Sequence, residues 1–259
     1  TRTPDDWRER DGAQVSLGGT KTISRHELSG DLGYRQRRTK AFFAAFGGFF
    51  TDTDANLWSF NPRAKLAFDA LGRTHDLIAG ADFERWNYET LSASSPGTTS
   101  APFSRRRGEQ DSIGWYAQTN FWIAQRTRLV LGARTQRIAQ RLTEDVFPVD
   151  DRRNEDRLEA YQAALRHNFA NGWSVYGKYE KGFRVANFDE NACFFPPCAA
   201  SLLEPQTAHG ADLGFEYESP ALRMRAALYD IRLDNEIYFS PLTLSNINLS
   251  PTERQGLEL

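Results

Sequence analysis

The run Gly182-Phe183-Arg184-Val185-Ala186-Asn187-Phe188-Asp189-Glu190 gathers aromatic rings, a guanidinium, an amide and two carboxylates. Phe183, Arg184, Asn187 and Glu190 could contact a small polar ligand. The same residues allow a second use, in which Arg184, Asn187 and Glu190 hydrogen-bond one another and brace the base of a loop. Cys193 and Cys198, in Cys-Phe-Phe-Pro-Pro-Cys, are the only cysteines. An even count at short spacing in an oxidising compartment reads as a local disulfide. The ring is small and its prolines already stiffen it, so the gain in stability is modest. Zinc would find two thiolates and no nearby histidine, short of a tetrahedral set. No metal is expected.

Other charged clusters are less specific. The segment 144–157 carries Glu144, Asp145, Asp150, Asp151, Arg152, Arg153, Glu155 and Asp156. Its carboxylates could hold calcium and its arginines could meet phosphates, but a solvated loop accounts for them equally well. Arg105-Arg106-Arg107 stands at the foot of a loop, where lipid phosphates or an anionic ligand could meet it. Catalysis finds little support. His26, His75, His167 and His209 have no two members at metal-ligand spacing. There is no Gly-x-Ser-x-Gly elbow, phosphate-cradling glycine loop or His-Glu-x-x-His. An enzyme is not expected, and neither is a cofactor.

Period-two alternation dominates the chain, the mark of strands with two unlike faces. Ala211, Leu213, Phe215 and Tyr217 alternate with Asp212, Gly214 and Glu216, and Trp173, Val175, Tyr179 and Phe183 alternate with Ser174, Lys178, Glu180 and Arg184. The pattern predicts eleven strands over 12–20, 25–38, 55–70, 74–90, 108–123, 127–143, 156–170, 172–185, 206–218, 221–239 and 252–259. Short connections near 21–22, 72–73, 125–126, 171–172 and 219–220 alternate with long ones over 39–54, 91–107, 144–155, 186–205 and 240–251. A soluble sandwich has no reason to place every long loop at one end. An outer-membrane barrel does, with short periplasmic turns and long extracellular loops. The aromatics Trp86, Tyr88, Phe121, Trp122, Trp173, Tyr238 and Phe239 fall towards strand ends, where an interfacial girdle would sit.

Composition agrees with this reading. The 259 residues are 40% apolar and 25% charged, enough for a folded core. Net charge is -2, with no basic excess to suggest nucleic acid. The longest apolar stretch, 41–50, falls well short of the roughly 20 residues of a membrane-spanning helix. A mean hydropathy of -0.60 does not exclude a membrane barrel, whose strands show lipid only one face. The other face is polar: Asp31, Asp82, Glu84, Gln118, Asn120, Arg134, Lys178, Glu180, Arg184, Asp212 and Glu216 are expected to point inward. Charges of both signs suit a wall packed against a polar plug better than an open ion channel.

Several segments carry a family resemblance. They are Trp58-Ser59-Phe60-Asn61-Pro62-Arg63, Tyr179-Glu180-Lys181-Gly182-Phe183-Arg184, Leu202-Leu203-Glu204-Pro205-Gln206-Thr207, Asp234-Asn235-Glu236-Ile237-Tyr238-Phe239 and the closing Asn248, Thr252, Arg254, Gly256 and Glu258. In order and spacing they resemble the TonB-dependent outer-membrane receptors. The match departs at Ala186, where many members have proline, and at Gln206, where many have glutamate. The resemblance implies an all-β, antiparallel up-and-down transmembrane barrel of about 22 strands. Residues 1–259 are expected to supply about half of its wall as part of one barrel domain, with an amino-terminal plug domain outside this chain. The chain reads as cut at both ends, and eleven strands with two open edges are expected to aggregate rather than insert alone.

The implied protein lies in the outer membrane of a Gram-negative bacterium, among lipid and lipopolysaccharide. It would bind a small extracellular ligand, often a ferric siderophore, and import it with energy from the TonB complex, contacted through the absent amino-terminal part. A ferric chelate would be cargo and not a cofactor. A passive porin shares the wall and the loop rhythm, and a soluble β-rich binding module is the alternative of another class.

Overall fold

The computed structural model describes residues 5–146, 149–192 and 201–259. Eleven strands form one antiparallel sheet in simple chain order. They are β1 (Trp7–Ile23), β2 (His26–Phe43), β3 (Phe49–Ala70), β4 (Arg73–Ala93), β5 (Ser104–Ala124), β6 (Thr127–Glu144), β7 (Asp150–Asn168), β8 (Trp173–Arg184), β9 (Gln206–Glu218), β10 (Arg223–Asp234) and β13 (Thr252–Glu258). A separate hairpin, β11 (Ile237–Ser240) with β12 (Ser245–Asn248), rises between β10 and β13. β1 and β13 are the two edges of this sheet, and it is not closed into a barrel.

Alternation fixes the two faces. Leu17, Leu32, Phe60, Phe83 and Ile113 stand opposite one another across five strands. Leu165, Gly177, Leu213, Leu228 and Leu257 continue a second row to the far edge. Most of these side chains are open to the surroundings: Leu17 is 73% exposed, Leu257 59% and Leu228 55%. A continuous apolar band this wide is incompatible with water and matches the lipid-facing band of a membrane barrel. The other face is polar and cross-linked: Arg134 meets Asp82 at 2.5 Å, Gln162 donates to Gln118 at 3.0 Å, and Arg166 meets Glu216 at 2.5 Å.

Three of the expected long loops are shortened, and those over 39–54 and 144–155 are largely strand. β3, β4 and β5 run 22, 21 and 21 residues, about twice what crosses a bilayer. Connections at that edge shrink to 44–48, 94–103 and 145–149. Past the apolar band neither face meets lipid, so the hydrophobic alternation disappears while backbone pairing continues. Ion pairs replace it: Arg38 donates to Asp52 at 2.9 and 2.6 Å, Arg137 to Glu155 at 2.7 and 2.8 Å, and Arg141 to Asp151 at 3.0 and 2.8 Å.

These pairs carry a pH signature. The Arg38 guanidinium holds the Asp52 carboxyl below its ordinary value, and Arg141 does the same for Asp151. A depressed native pKa means the stabilisation is present above the ordinary aspartate value and is lost as pH falls through the depressed one. Acid unfolding profiles of the wild type and Asp52→Asn should therefore diverge at neutral pH and converge in strong acid. Parallel profiles would remove Asp52 from that account.

The short-turn edge is tightly built. Leu71 and Gly72, at φ +52° and +69°, form a two-residue hairpin turn of the kind that matches strand twist. Two histidines finish the ladders there. His75 is 1% exposed and lies 4.1 Å from the Phe121 ring centroid, nearly parallel to it. The Trp122 backbone N–H donates to its Nδ1 at 3.0 Å, which leaves Nε2–H to donate to the Ala70 carbonyl at 2.8 Å. His26 repeats the device, its Nδ1 accepting the Ala67 N–H at 3.3 Å. Each ring fills the place of a backbone acceptor just past the last β2–β3 or β4–β5 pair. His75→Phe keeps the ring but orphans the Trp122 N–H, and should cost about 1–3 kcal/mol in denaturant unfolding. An unchanged midpoint would show the ring alone to matter.

Two sequence expectations need correction. The single strand over 221–239 is broken, because Asn235 takes a left-handed conformation at φ +55° and diverts the chain into the β11–β12 hairpin. Tyr238 and Phe239 therefore sit on that hairpin and not in a girdle on the wall. Trp86 and Tyr88 leave the girdle too. Their parity with Asp82 and Glu84 places them on the inner face, where Arg35 lies over the Trp86 ring.

Candidate ligand-binding site on the inner face

β8 ends at Arg184, and the chain then folds back over the inner face of β4 to β7. Arg184 Nη1 donates to both Glu190 oxygens at 2.9 and 2.8 Å. The Asn187 N–H donates to Glu190 Oε2 at 2.9 Å, and the Glu190 N–H returns a bond to Asn187 Oδ1 at 2.8 Å. Arg184, Asn187 and Glu190 are thus brought together in one closed bracket. Phe183 stands opposite Thr207 with its side chain on the sheet face opposite to that of Arg184, apart from the other three.

Residues beyond the bracket pin the loop base down. Phe188 lies against Gly108, where a Cβ would come within 2.6 Å of its ring. Its ring centroid is 5.5 Å from that of Tyr88, and the Tyr88 hydroxyl donates to Asp189. Burial first, and then the Asp189 charge, push the Tyr88 phenol well above its ordinary pKa, so it stays a donor. Gln140 donates to the Ala186 carbonyl at 3.0 Å, Arg152 to that of Asn191 at 2.9 Å, and Asn246 to that of Glu190 at 3.0 Å. Four separate strands and the hairpin hold eight residues of loop.

Between this loop base and the upper inner wall lies a hollow of about 690 Å³. Trp86 and Tyr88 from β4 line it, with Phe43 and Phe49 towards the rim, Val185 to Asp189 across one side, and Arg8 and Arg37 from β1 and β2 on the other. Of Phe183, Arg184, Asn187 and Glu190, only Asn187 is among its described lining residues, with Arg106 from the arginine run. A second hollow of about 550 Å³ lies at the short-turn edge, but its Arg166 is already held by Glu216 at 2.5 Å and Ser174 at 2.8 Å.

The acidic segment is largely structural. Glu144 and Arg106 meet at 3.2 Å with side chains 8% exposed. Glu144 also accepts from Ser104 Oγ at 2.6 Å and from the Arg105 and Val146 N–H groups at 2.7 and 3.1 Å. Of the expected arginine run, Arg106 turns inward to this hub and Arg107 turns outward to Asp145 at 2.6 Å. No group of carboxylates, histidines or cysteines able to hold a metal occurs among the described residues. Cys193 and Cys198 lie outside the described residues.

The TonB dependent receptor-like β-barrel family model matches residues 1–259, and the chain belongs to that family. Its members are outer-membrane receptors and transporters of Gram-negative bacteria, not enzymes. No curated protein sequence matches the chain. Solved structures share the fold. The ferric yersiniabactin uptake receptor FyuA of Yersinia pestis superimposes with a TM-score of 0.77 at 16% identity, over 98% of this chain and 40% of that one. The ferric citrate transporter FecA gives 0.78 at 15%, over 97% and 38%. The copper transporter OprC gives 0.78 at 15%, over 96% and 43%. The chain therefore spans less than half the length of these structures.

Proposed function

We propose that this chain is part of the wall of an outer-membrane receptor that captures a scarce nutrient and imports it with energy supplied by TonB. One observation carries the reading: the aromatic and arginine-lined hollow sits on the inner face at the long-loop edge, where cargo would arrive from outside. Family membership supports it, as do similar structures described as a ferric yersiniabactin uptake receptor and a ferric citrate transporter. On this reading the rest of the protein includes a plug domain packed against the polar inner face and a segment that contacts TonB. A ferric siderophore or a similar chelate is the cargo that fits best. The bracket of Arg184, Asn187 and Glu190 keeps the loop base in place, and Asn187 faces the bound ligand.

A passive porin would share the wall but not the plug. Conductance of the full-length protein in a planar bilayer separates the two. A plugged receptor should give no steady open-channel current, whereas stable ohmic steps would replace it with a porin.

A further inference from the structure

We infer that the cargo is a polyanion carrying planar aromatic groups, a reading that rests on the receptor function proposed above. Charge is unevenly matched on the inner face. At the long-loop edge, four inward cations have acidic partners: Arg106 with Glu144 at 3.2 Å, Arg152 with Asp150 at 2.5 Å, Arg184 with Glu190 at 2.8 Å, and Arg254 with Glu236 at 2.5 Å. Arg8, Arg10, Arg35 and Arg37 share that face and edge, and none of them lies at salt-bridge distance from a described carboxylate. Register places them together. Arg8 and Arg10 stand opposite Ala41 and Thr39, and Arg35 and Arg37 stand opposite Gln14 and Gly12. Four guanidiniums on two adjacent strands repel one another unless an anion joins them.

The surroundings define which anion. Arg8 and Arg37 line the hollow directly. Arg35 rests over the Trp86 indole, 5.4 Å from its centroid, an arrangement that holds a guanidinium ready for a bidentate acceptor. Trp86, Tyr88 and Phe188 give ring surfaces for a planar group. Asp189 is the one carboxylate among the described lining residues, and the Tyr88 hydroxyl already engages it. A cationic cargo would meet the arginines unfavourably, and a neutral one would leave them without a counter-charge.

The test uses the full-length receptor in detergent, with tryptophan quenching and calorimetry as readouts. Two probes of similar size are compared: a trianionic ferric tris-catecholate and an uncharged ferric trihydroxamate. The catecholate should bind at least about tenfold tighter, with an affinity that falls as salt rises. The double variant Arg35→Gln/Arg37→Gln should lose roughly 100-fold or more in catecholate affinity, the equivalent of two charge-assisted hydrogen bonds. Arg35→Lys/Arg37→Lys, which keeps charge but not the fork, should retain part of it. Equal binding of both probes, or a Gln variant that binds the catecholate as the wild type does, would overturn the charge selection and leave the receptor reading intact. The second result would assign these arginines to carboxylates elsewhere in the protein. Binding of neither probe would overturn this inference, and the receptor reading would then stand or fall on its own bilayer conductance test.

Discussion

Replacing Glu144 by alanine in the full-length protein should lower its resistance to unfolding by about 3–5 kcal/mol, the range found when one member of a buried ion pair is removed. Glu144 serves Ser104, Arg106 and two backbone N–H groups in a site from which water is largely excluded. The variant strips the Arg106 guanidinium of this carboxylate and leaves the N–H groups of Arg105 and Val146 to find other acceptors. Glu144→Gln keeps the shape and one acceptor, so its cost should be smaller. Hydrogen exchange resolved by segment would locate the effect at the long-loop ends of β5 and β6. Equal protection in the wild type and Glu144→Ala would show that the hub carries little of the wall's stability.

Gly108→Ala is the second substitution with a large expected effect, and it acts on the site. A methyl group there would lie 2.6 Å from the Phe188 ring, and a ring cannot bend aside as the end of a flexible chain does. Phe188 must move, and with it the loop base that walls the hollow. Overpacking of this kind costs about 1–3 kcal/mol. Limited proteolysis should cut the loop after β8 faster, and cargo affinity should fall. Gly182→Ala is the matched control, since no atom lies within 4 Å of its Cβ position. Its effect should stay within about 0.5 kcal/mol. Indistinguishable behaviour of the two variants would remove Phe188 from its role as the loop's anchor.

The wall was legible from the sequence because lipid enforces a period of two. Wherever one face meets the bilayer, as from Leu129 to Ala133 or Ala211 to Tyr217, the alternation names the strand and its register. It failed where that pressure ends. Residues 39–43, 49–54 and 150–155 pair as strands beside Arg38–Asp52 and Arg141–Asp151, but the adjacent phenylalanines Phe42-Phe43 and Phe49-Phe50 break the alternation in the first two, and charges on both faces hide it in the third. Trp86 and Tyr88 stand near a strand end, which suggests a girdle, but their parity with Asp82 and Glu84 puts them inside.

The site was less legible still. Arg184, Asn187 and Glu190 do meet, since a bracket spanning six residues is local. The hollow joins β1, β2 and β4 to the loop after β8, and nothing in the spacing of Arg37, Trp86 and Phe188 reveals that they share a wall. That juxtaposition comes from sheet curvature and from the Gly108 notch.

Uptake of a radiolabelled ferric chelate tests the central claim most directly. The full-length protein would be expressed in cells lacking their other receptors, with TonB present or deleted. Saturable uptake that stops when TonB is removed is the expected result. Uptake that rises linearly with concentration and ignores TonB would contradict it, and would leave the chain as the wall of a passive pore.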